Sequence, residues 1–352
     1  MPQRRWSALV WVVTCLAQTD AVSDSLFEQQ ELLNFSLQAP FRKINRERDR
    51  TVEYDGQLSY VSAAGQPVRL DVKIEPRGHA RLKKNVCRFP PLRIIFNKQQ
   101  VKNTLFRKQK KLKLVTQCDP LDPNYTSFLL KEYLAYRIFN QITETSFRVR
   151  LASTTYQELG GRNRTNFSFF LEDKKRFAKR RGLEVSKQET DAVHLDSVHL
   201  NQVSLFQMLI GNVDWSATSG TSGDCCHNFK LFNPGGEDSI LAVPYDFDLS
   251  GIVNAKYAVP DKGMRLRSVR QRRYRGYCRN NALLDQNIAL FNQQKDAIFL
   301  LIDDFDELSD YQRKNTMSYI RSFYRIINSP KRLARMVEPY CHKSKFIEVS
   351  GR

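Results

Sequence analysis

The stretch that decides the reading of this chain runs from 211 to 248. It opens Gly211-Asn212-Val213-Asp214-Trp215-Ser216 and passes through a Gly/Ser/Thr loop with Ser219, Gly220, Ser222 and Gly223. It resumes as Asp224-Cys225-Cys226-His227-Asn228-Phe229-Lys230-Leu231 and closes with Val243-Pro244-Tyr245-Asp246-Phe247-Asp248. Asp214 sits just past an apolar, helix-like run at 200–210. Asn228 opens a short strand at 228–232, and Asp246 ends the strand that follows at 240–243, beyond the turn Pro234-Gly235-Gly236. An acid, an amide and an acid therefore converge at one end of a small hairpin. A lone Asp in a loop is usually a turn former or a helix cap; three such groups in this order, bracketing a strand pair, point to chemistry. Magnesium prefers oxygen ligands and takes one or two carboxylates plus substrate phosphates, while a further Asp can accept the proton of an attacking hydroxyl. Phosphoryl transfer needs such a set. His227 reads as a local packing or hydrogen-bonding residue. Structural zinc is disfavoured, because the chain has no Cys-x-x-Cys pair.

Outward from this segment, the periodicity divides the chain. Apolar and polar residues alternate at 57–61, 68–74, 92–96, 110–116, 147–156 and 166–172, which predicts strands. The spacing of Phe128, Leu129, Glu132, Tyr133, Tyr136 and Phe139 predicts a helix at 125–142. Downstream patterns are mostly helical, with helices expected at 282–304 and 307–327. Residues 22–54, rich in charge from Arg42 to Arg50, read as an extension wrapping the domain, and 174–181 as a basic connector. The expected fold is α+β, two-lobed and protein-kinase-like. An antiparallel sheet lobe with one inserted helix (55–173) is followed by a mainly helical lobe (174–345) that carries the 211–248 segment.

At Asn212-Val213-Asp214, Asn228 and Pro244-Tyr245-Asp246-Phe247-Asp248 the sequence resembles the CotH-type (spore coat protein H) atypical kinases and their HipA-like and phosphoinositide-kinase-like relatives. Arg77-Gly78 with Phe89-Pro90, and 169–173, add to the likeness, which is diffuse over 57–330 and specific in 211–248. The resemblance implies that Asp214 is the catalytic base and that Asn228 and Asp246 are metal ligands, with Asp248 assisting. The implied cofactors are ATP with Mg or Mn. It also implies an ATP-anchoring lysine paired with a helix glutamate; Lys113 with Glu132 is chosen, with Lys111 in reserve. Arg77, in Arg77-Gly78-His79-Ala80-Arg81, takes the place of the missing Gly-x-Gly-x-x-Gly phosphate loop. Relatives place the metal Asn about five residues after the catalytic Asp; here a long loop separates Asp214 from Asn228.

Composition bounds the rest. The 352 residues are 41% hydrophobic and 11% aromatic, enough for a packed core, which excludes global disorder. Lys and Arg number 56 against 37 Asp and Glu, giving +19, so the partners are anionic. The segment 262–279 concentrates eight of these cations around Tyr274 and Tyr277 and is expected to recruit an acidic protein or another anionic acceptor. Arg4 and Arg5, the apolar run 6–17 and the small residues Ala17, Ala21 and Ser23 give residues 1–21 the layout of a secretory signal peptide. Export to a periplasm or to the outside follows, and argues against nucleic acid as the partner. Six of the seven cysteines lie beyond the signal and can form disulfides. Cys87 and Cys118 are plausible partners, and Cys225 or Cys226 can bond Cys278. Three functions are carried forward: transfer of the ATP γ-phosphate to a Ser/Thr or other hydroxyl, a different ATP-dependent transfer (adenylylation or glutamylation), and non-catalytic binding.

Overall fold

The computed structural model describes residues 25–186, 192–218, 225–235 and 239–343. The signal-like segment 1–21 lies outside these residues, as do Ser219, Gly220, Ser222, Gly223, Asp224 and Gly236. Seven strands form a closed barrel: β1 (Leu33–Ala39), β2 (Tyr54–Val61), β3 (Pro67–Pro76), β4 (Leu92–Phe96), β5 (Lys111–Thr116), β6 (Val149–Glu158) and β7 (Arg164–Leu171). Their order is β1-β2-β3-β4-β5-β7-β6. Neighbours run antiparallel except β6 and β1, whose parallel pairing sets Leu33 opposite Ala152 and Ala39 opposite Glu158 and closes the ring.

The barrel corrects the expected two-lobed, kinase-like fold with an open sheet lobe. The difference is β1, which lies inside the segment read as a wrapping extension and fills the gap between β2 and β6. Leu33, Phe35 and Leu37 bury one face of β1 while Asn34, Ser36 and Gln38 stay less covered. Pairing on both sides satisfies the backbone groups that each open edge would leave bare. Leu58, Ile74, Leu92, Ile94 and Leu114 fill the interior, fully buried.

The outside of the barrel is also apolar along one side. Phe170 on β7 points inward, while its neighbours Phe169 and Leu171 join a second core, as the two-residue period of a strand requires. That core is built with the helices. They are α1 (Ser25–Glu28), α2 (Phe41–Glu47), α3 (Asn124–Ile142), α4 (Lys174–Arg181), α5 (Ser197–Ile210), α6 (Leu284–Gln293), α7 (Lys295–Asp303), α8 (Asp310–Ile327) and α9 (Pro330–Val337). α3 lies against β6, β7 and α7, and α5 against α6 and α8. A small sheet, β10-β9-β8, is formed by β8 (Glu184–Val185), β9 (Phe229–Asn233) and β10 (Leu241–Pro244); β10 packs on α5. The stretch 282–304, read as one helix, is broken at Gln294 between α6 and α7.

The six cysteines of the described residues form three pairs at disulfide distance. Cys87 pairs with Cys118, as expected, with Cα atoms 4.7 Å apart. Cys278 pairs with Cys341 at a Cα separation of 5.0 Å, not with Cys225 or Cys226, which pair with each other. Such usage is consistent with a secreted protein. No helix of the described residues is long and apolar enough to cross a membrane.

The arginines of 262–279 are largely committed to the scaffold. Arg272 is buried and donates to the Met208, Leu209 and Tyr319 carbonyls at 2.9, 3.1 and 2.7 Å, with its guanidinium 3.8 Å from the Tyr319 ring. It thereby supplies donors to the last turn of α5, whose carbonyls have no partners within the helix. Arg275 bonds the Val213 and Trp215 carbonyls, Arg273 the Met264 carbonyl and Arg279 the Ala192 carbonyl. Lys262, Arg265 and Arg267 remain exposed.

Candidate functional site

A cleft of about 830 Å³ lies where the small sheet, α3 and the β3–β4 connection meet. Each predicted site residue except Lys111 lines it: Asp214, Asn228, Asp246 and Asp248, with Lys113, Glu132 and Arg77. Lys111 stands outside, paired with Glu53 at 3.6 Å and Glu75 at 3.9 Å.

Asp214 is held by the end of α5. Gly211 terminates the helix at φ +66°, and a Cβ there would collide with the Tyr319 hydroxyl, so the position calls for glycine on two grounds. The chain then turns on buried Asn212, whose Oδ1 accepts the Asp214 N–H at 3.0 Å. The Trp215 indole N–H donates to the Asn212 carbonyl at 3.2 Å.

The long loop between Asp214 and Asn228 does not separate them. Ser216 and His227 form a β-bridge, with the Ser216 N–H donating to the His227 carbonyl at 3.0 Å. The bridge sets residues 216 and 227 side by side. Asn228 Nδ2 then donates to the Asp214 carbonyl at 2.8 Å and to Asp214 Oδ2 at 3.0 Å, which leaves its own Oδ1 as the acceptor atom for a ligand. His227 Nε2 lies 2.7 Å from Asp214 Oδ1. That hydrogen bond, set against partial burial, raises the His227 pKa above its ordinary value. The sequence treated His227 as a local contact; its position in the bridge, next to Asn228, is what makes it a partner of Asp214.

Asp246 and Asp248 are presented by Phe247. The Phe247 ring is fully buried, 4.5 Å from Tyr136 and 5.3 Å from Phe206 between ring centroids. With Phe247 drawn into the core, the residues on either side line the cleft. Asp246 adopts φ +67°, a conformation Asp tolerates better than most residues, and its N–H donates to the Tyr136 hydroxyl at 2.8 Å. The Tyr245 N–H meets the Asn228 carbonyl at 3.0 Å, which brings both ends of the hairpin together.

The cations face these acids without neutralising them all. Glu132 has Arg81 as its ion-pair partner among the described residues, at 4.0 Å, rather than the expected Lys113; Arg81 is also 4.0 Å from Asp248. Burial works against the Arg81 charge, but Tyr257, Asp248, Glu132 and Asp246 outweigh it and hold its pKa above the ordinary value. Arg81 is the residue the Lys–Glu expectation missed; its signal was a second arginine four positions after Arg77 in a glycine-containing loop. Arg77 has no carboxylate at ion-pair distance among the described residues, and its Nε is buried with no hydrogen-bond partner. Lys113 lies 4.4 Å over the Tyr245 ring. Burial, and then Arg77, lower its pKa to about 7.

The carboxylates show the complementary strain. Burial, reinforced by Asp246, raises the Asp248 pKa to about 7. Burial and Asp248 push Glu132 well above the ordinary range. No group of three His, Cys, Asp or Glu side chains among the described residues forms a ligand set alone. The donor set of Asn228 Oδ1 and the crowded Asp246 and Asp248 carboxylates fits a magnesium-type ion that draws its remaining ligands from phosphate and water.

Lys113 yields a stability prediction. Its folded pKa lies below its unfolded value, so the unfolded chain binds the extra proton between about pH 7 and the ordinary lysine pKa of ~10.4. The destabilisation by Lys113 is therefore complete below pH 7 and fades as pH rises toward 10. Lys113→Met is expected to raise Tm, more at pH 6 than at pH 9, while removing a cation from the cleft. A Tm gain that is equal at both pH values, or no gain, would contradict this.

Comparison with protein-family models gives no match for the chain, and comparison with curated proteins gives none. Nothing in these comparisons identifies a CotH-type family.

Proposed function

We propose that the chain is an exported, metal-dependent phosphotransferase that moves the γ-phosphoryl group of ATP to a hydroxyl acceptor. The proposal does not depend on a kinase fold. One observation carries it: a single cleft holds Arg77, whose Nε is buried without a hydrogen-bond partner, and the desolvated Lys113 together with crowded carboxylates. Such an arrangement is unfavourable in isolation and is relieved by a ligand that is itself both anion and cation, a metal–polyphosphate. Asp246, Asp248 and Asn228 Oδ1 would hold the ion, and Arg77 and Lys113 would hold phosphate oxygens. Mg or Mn bound there would supply positive charge against the phosphate oxygens. Asp214 takes the acceptor hydroxyl proton as the acceptor oxygen bonds to phosphorus and ADP leaves. His227 and Asn228 fix the Asp214 carboxylate in place. The three cysteine pairs and the signal-like start of the chain support export.

Labelled ATP tests the reading. With Mg or Mn, γ-label is expected to pass to an acceptor or to the protein itself, and α-label is not. Transfer of α-label would replace the proposal with adenylylation. Absence of nucleotide binding in the presence of either metal would leave a binding protein and defeat the enzymatic reading.

A further inference from the structure

Two adjoining cavities of about 590 and 520 Å³ share Arg42, Asn45, Phe89, Leu121 and Arg164 and form one groove on the barrel. Seven cationic side chains line it, Arg42, Arg46, Arg48, Lys84, Arg88, Arg162 and Arg164, against two carboxylates, Asp119 and Glu158. Three of the seven are engaged. Arg48 donates to the Leu82, Cys87 and Arg88 carbonyls; Arg46 meets Glu47 at 3.6 Å and Arg88 meets Asp119 at 3.3 Å. For Arg42, Lys84, Arg162 and Arg164 no carboxylate lies at ion-pair distance among the described residues. The Arg164 guanidinium stands 5.5 Å over Phe89, and its Nε is buried without a hydrogen-bond partner. This is the reverse of 262–279, where the arginines bond the scaffold.

We propose that the groove binds an acidic polypeptide, the acceptor that the cleft modifies. The role as acceptor rests on the phosphotransferase reading; the binding does not. One loop connects the two places. Arg77, His79 and Arg81 line the cleft, Lys84 and Arg88 line the groove, and the Cys87–Cys118 disulfide ties this wall to the rim at Asp119, Pro120 and Leu121. Clustered arginines recognise acidic motifs. Leu121, 69% exposed on the rim, offers an apolar contact that a peptide side chain can use. Phe41, Phe89 and Tyr156 are buried, so the groove has no open aromatic faces for stacking bases. Asp119 and Glu158 repel a uniformly charged polyanion but tolerate a chain whose charges are interrupted.

The test is anisotropy of a fluorescein-labelled peptide of mixed Asp, Glu and Leu with the full chain at low ionic strength. Lys84→Glu/Arg162→Glu, both exposed, is expected to weaken binding about tenfold, a loss of about 1.4 kcal/mol. Adding Arg42→Glu should weaken it further. Leu121→Ala is expected to weaken it about threefold with charge unchanged, and rising salt should weaken it throughout. Arg265→Glu/Arg267→Glu should bind as wild type, and so should Asp214→Asn, even where transfer is lost. Unchanged affinity in Lys84→Glu/Arg162→Glu would overturn the proposal. Tighter binding of oligothymidylate or a sulfated polysaccharide, with Leu121→Ala neutral, would overturn it in favour of a general polyanion site.

Discussion

Asp214→Asn is expected to lower the rate of γ-phosphoryl transfer roughly a thousandfold, the scale of general-base catalysis, with ATP affinity little changed. The substitution is isosteric. The amide oxygen can still accept from Asn228 Nδ2, which lies 3.0 Å from Asp214 Oδ2, so the loop pinned by Asn212 and Arg275 stays in place. What is lost is the lone pair that takes the acceptor proton. A second readout separates this from a folding defect. The Asp214 hydrogen bond is the largest contribution raising the His227 pKa, so His227 should titrate lower in the variant by NMR. Loss of transfer with that downward shift, and unchanged ATP affinity, is the expected combination. Transfer within tenfold of wild type would remove Asp214 from the base role.

The second large effect falls far from the chemistry. Arg272→Ala is expected to destabilise the fold by about 2–4 kcal/mol, because the buried Leu209 carbonyl loses its donor at about 1–3 kcal/mol, the Met208 and Tyr319 carbonyls lose one of their donors, and the buried side chain leaves a cavity. Two of those carbonyls, Met208 and Leu209, belong to the last turn of α5, from which Gly211 and Asp214 follow. Urea unfolding should show a lower midpoint with an unchanged slope. Arg265→Glu, on an exposed side chain of the same segment, should leave the midpoint in place. A small effect of Arg272→Ala would mean that the α5 terminus is held by other contacts.

The strands and α3 were legible because their periodicity is local. Leu92–Phe96 is β4 as read, and Asn124–Ile142 starts one residue before the predicted helix. The grouping of Asp214, Asn228, Asp246 and Asp248 was legible from their order around a short hairpin, and the structure brings them to one cleft; that burial of Phe247 displays Asp246 and Asp248 was not read from the sequence. The barrel was not legible. β1 has the alternation of a strand, but its parallel partner β6 lies more than a hundred residues away and a charged run follows it, so nothing local shows that it closes a ring. The roles of the arginines were misjudged for the same reason. Arg272 and Arg164 look alike in sequence, yet one bonds the end of α5 and the other lines an open groove. Whether a cation is free depends on distant carbonyls, which composition does not report.

The most direct measurement is anomalous diffraction from crystals grown with Mn and a non-hydrolysable ATP analogue. The manganese peak is expected within coordination distance of Asn228 Oδ1 and the Asp246 carboxylate, with phosphate oxygens on Arg77 and Lys113. Manganese and nucleotide bound elsewhere, with Arg77 still unpaired, would contradict the proposed site.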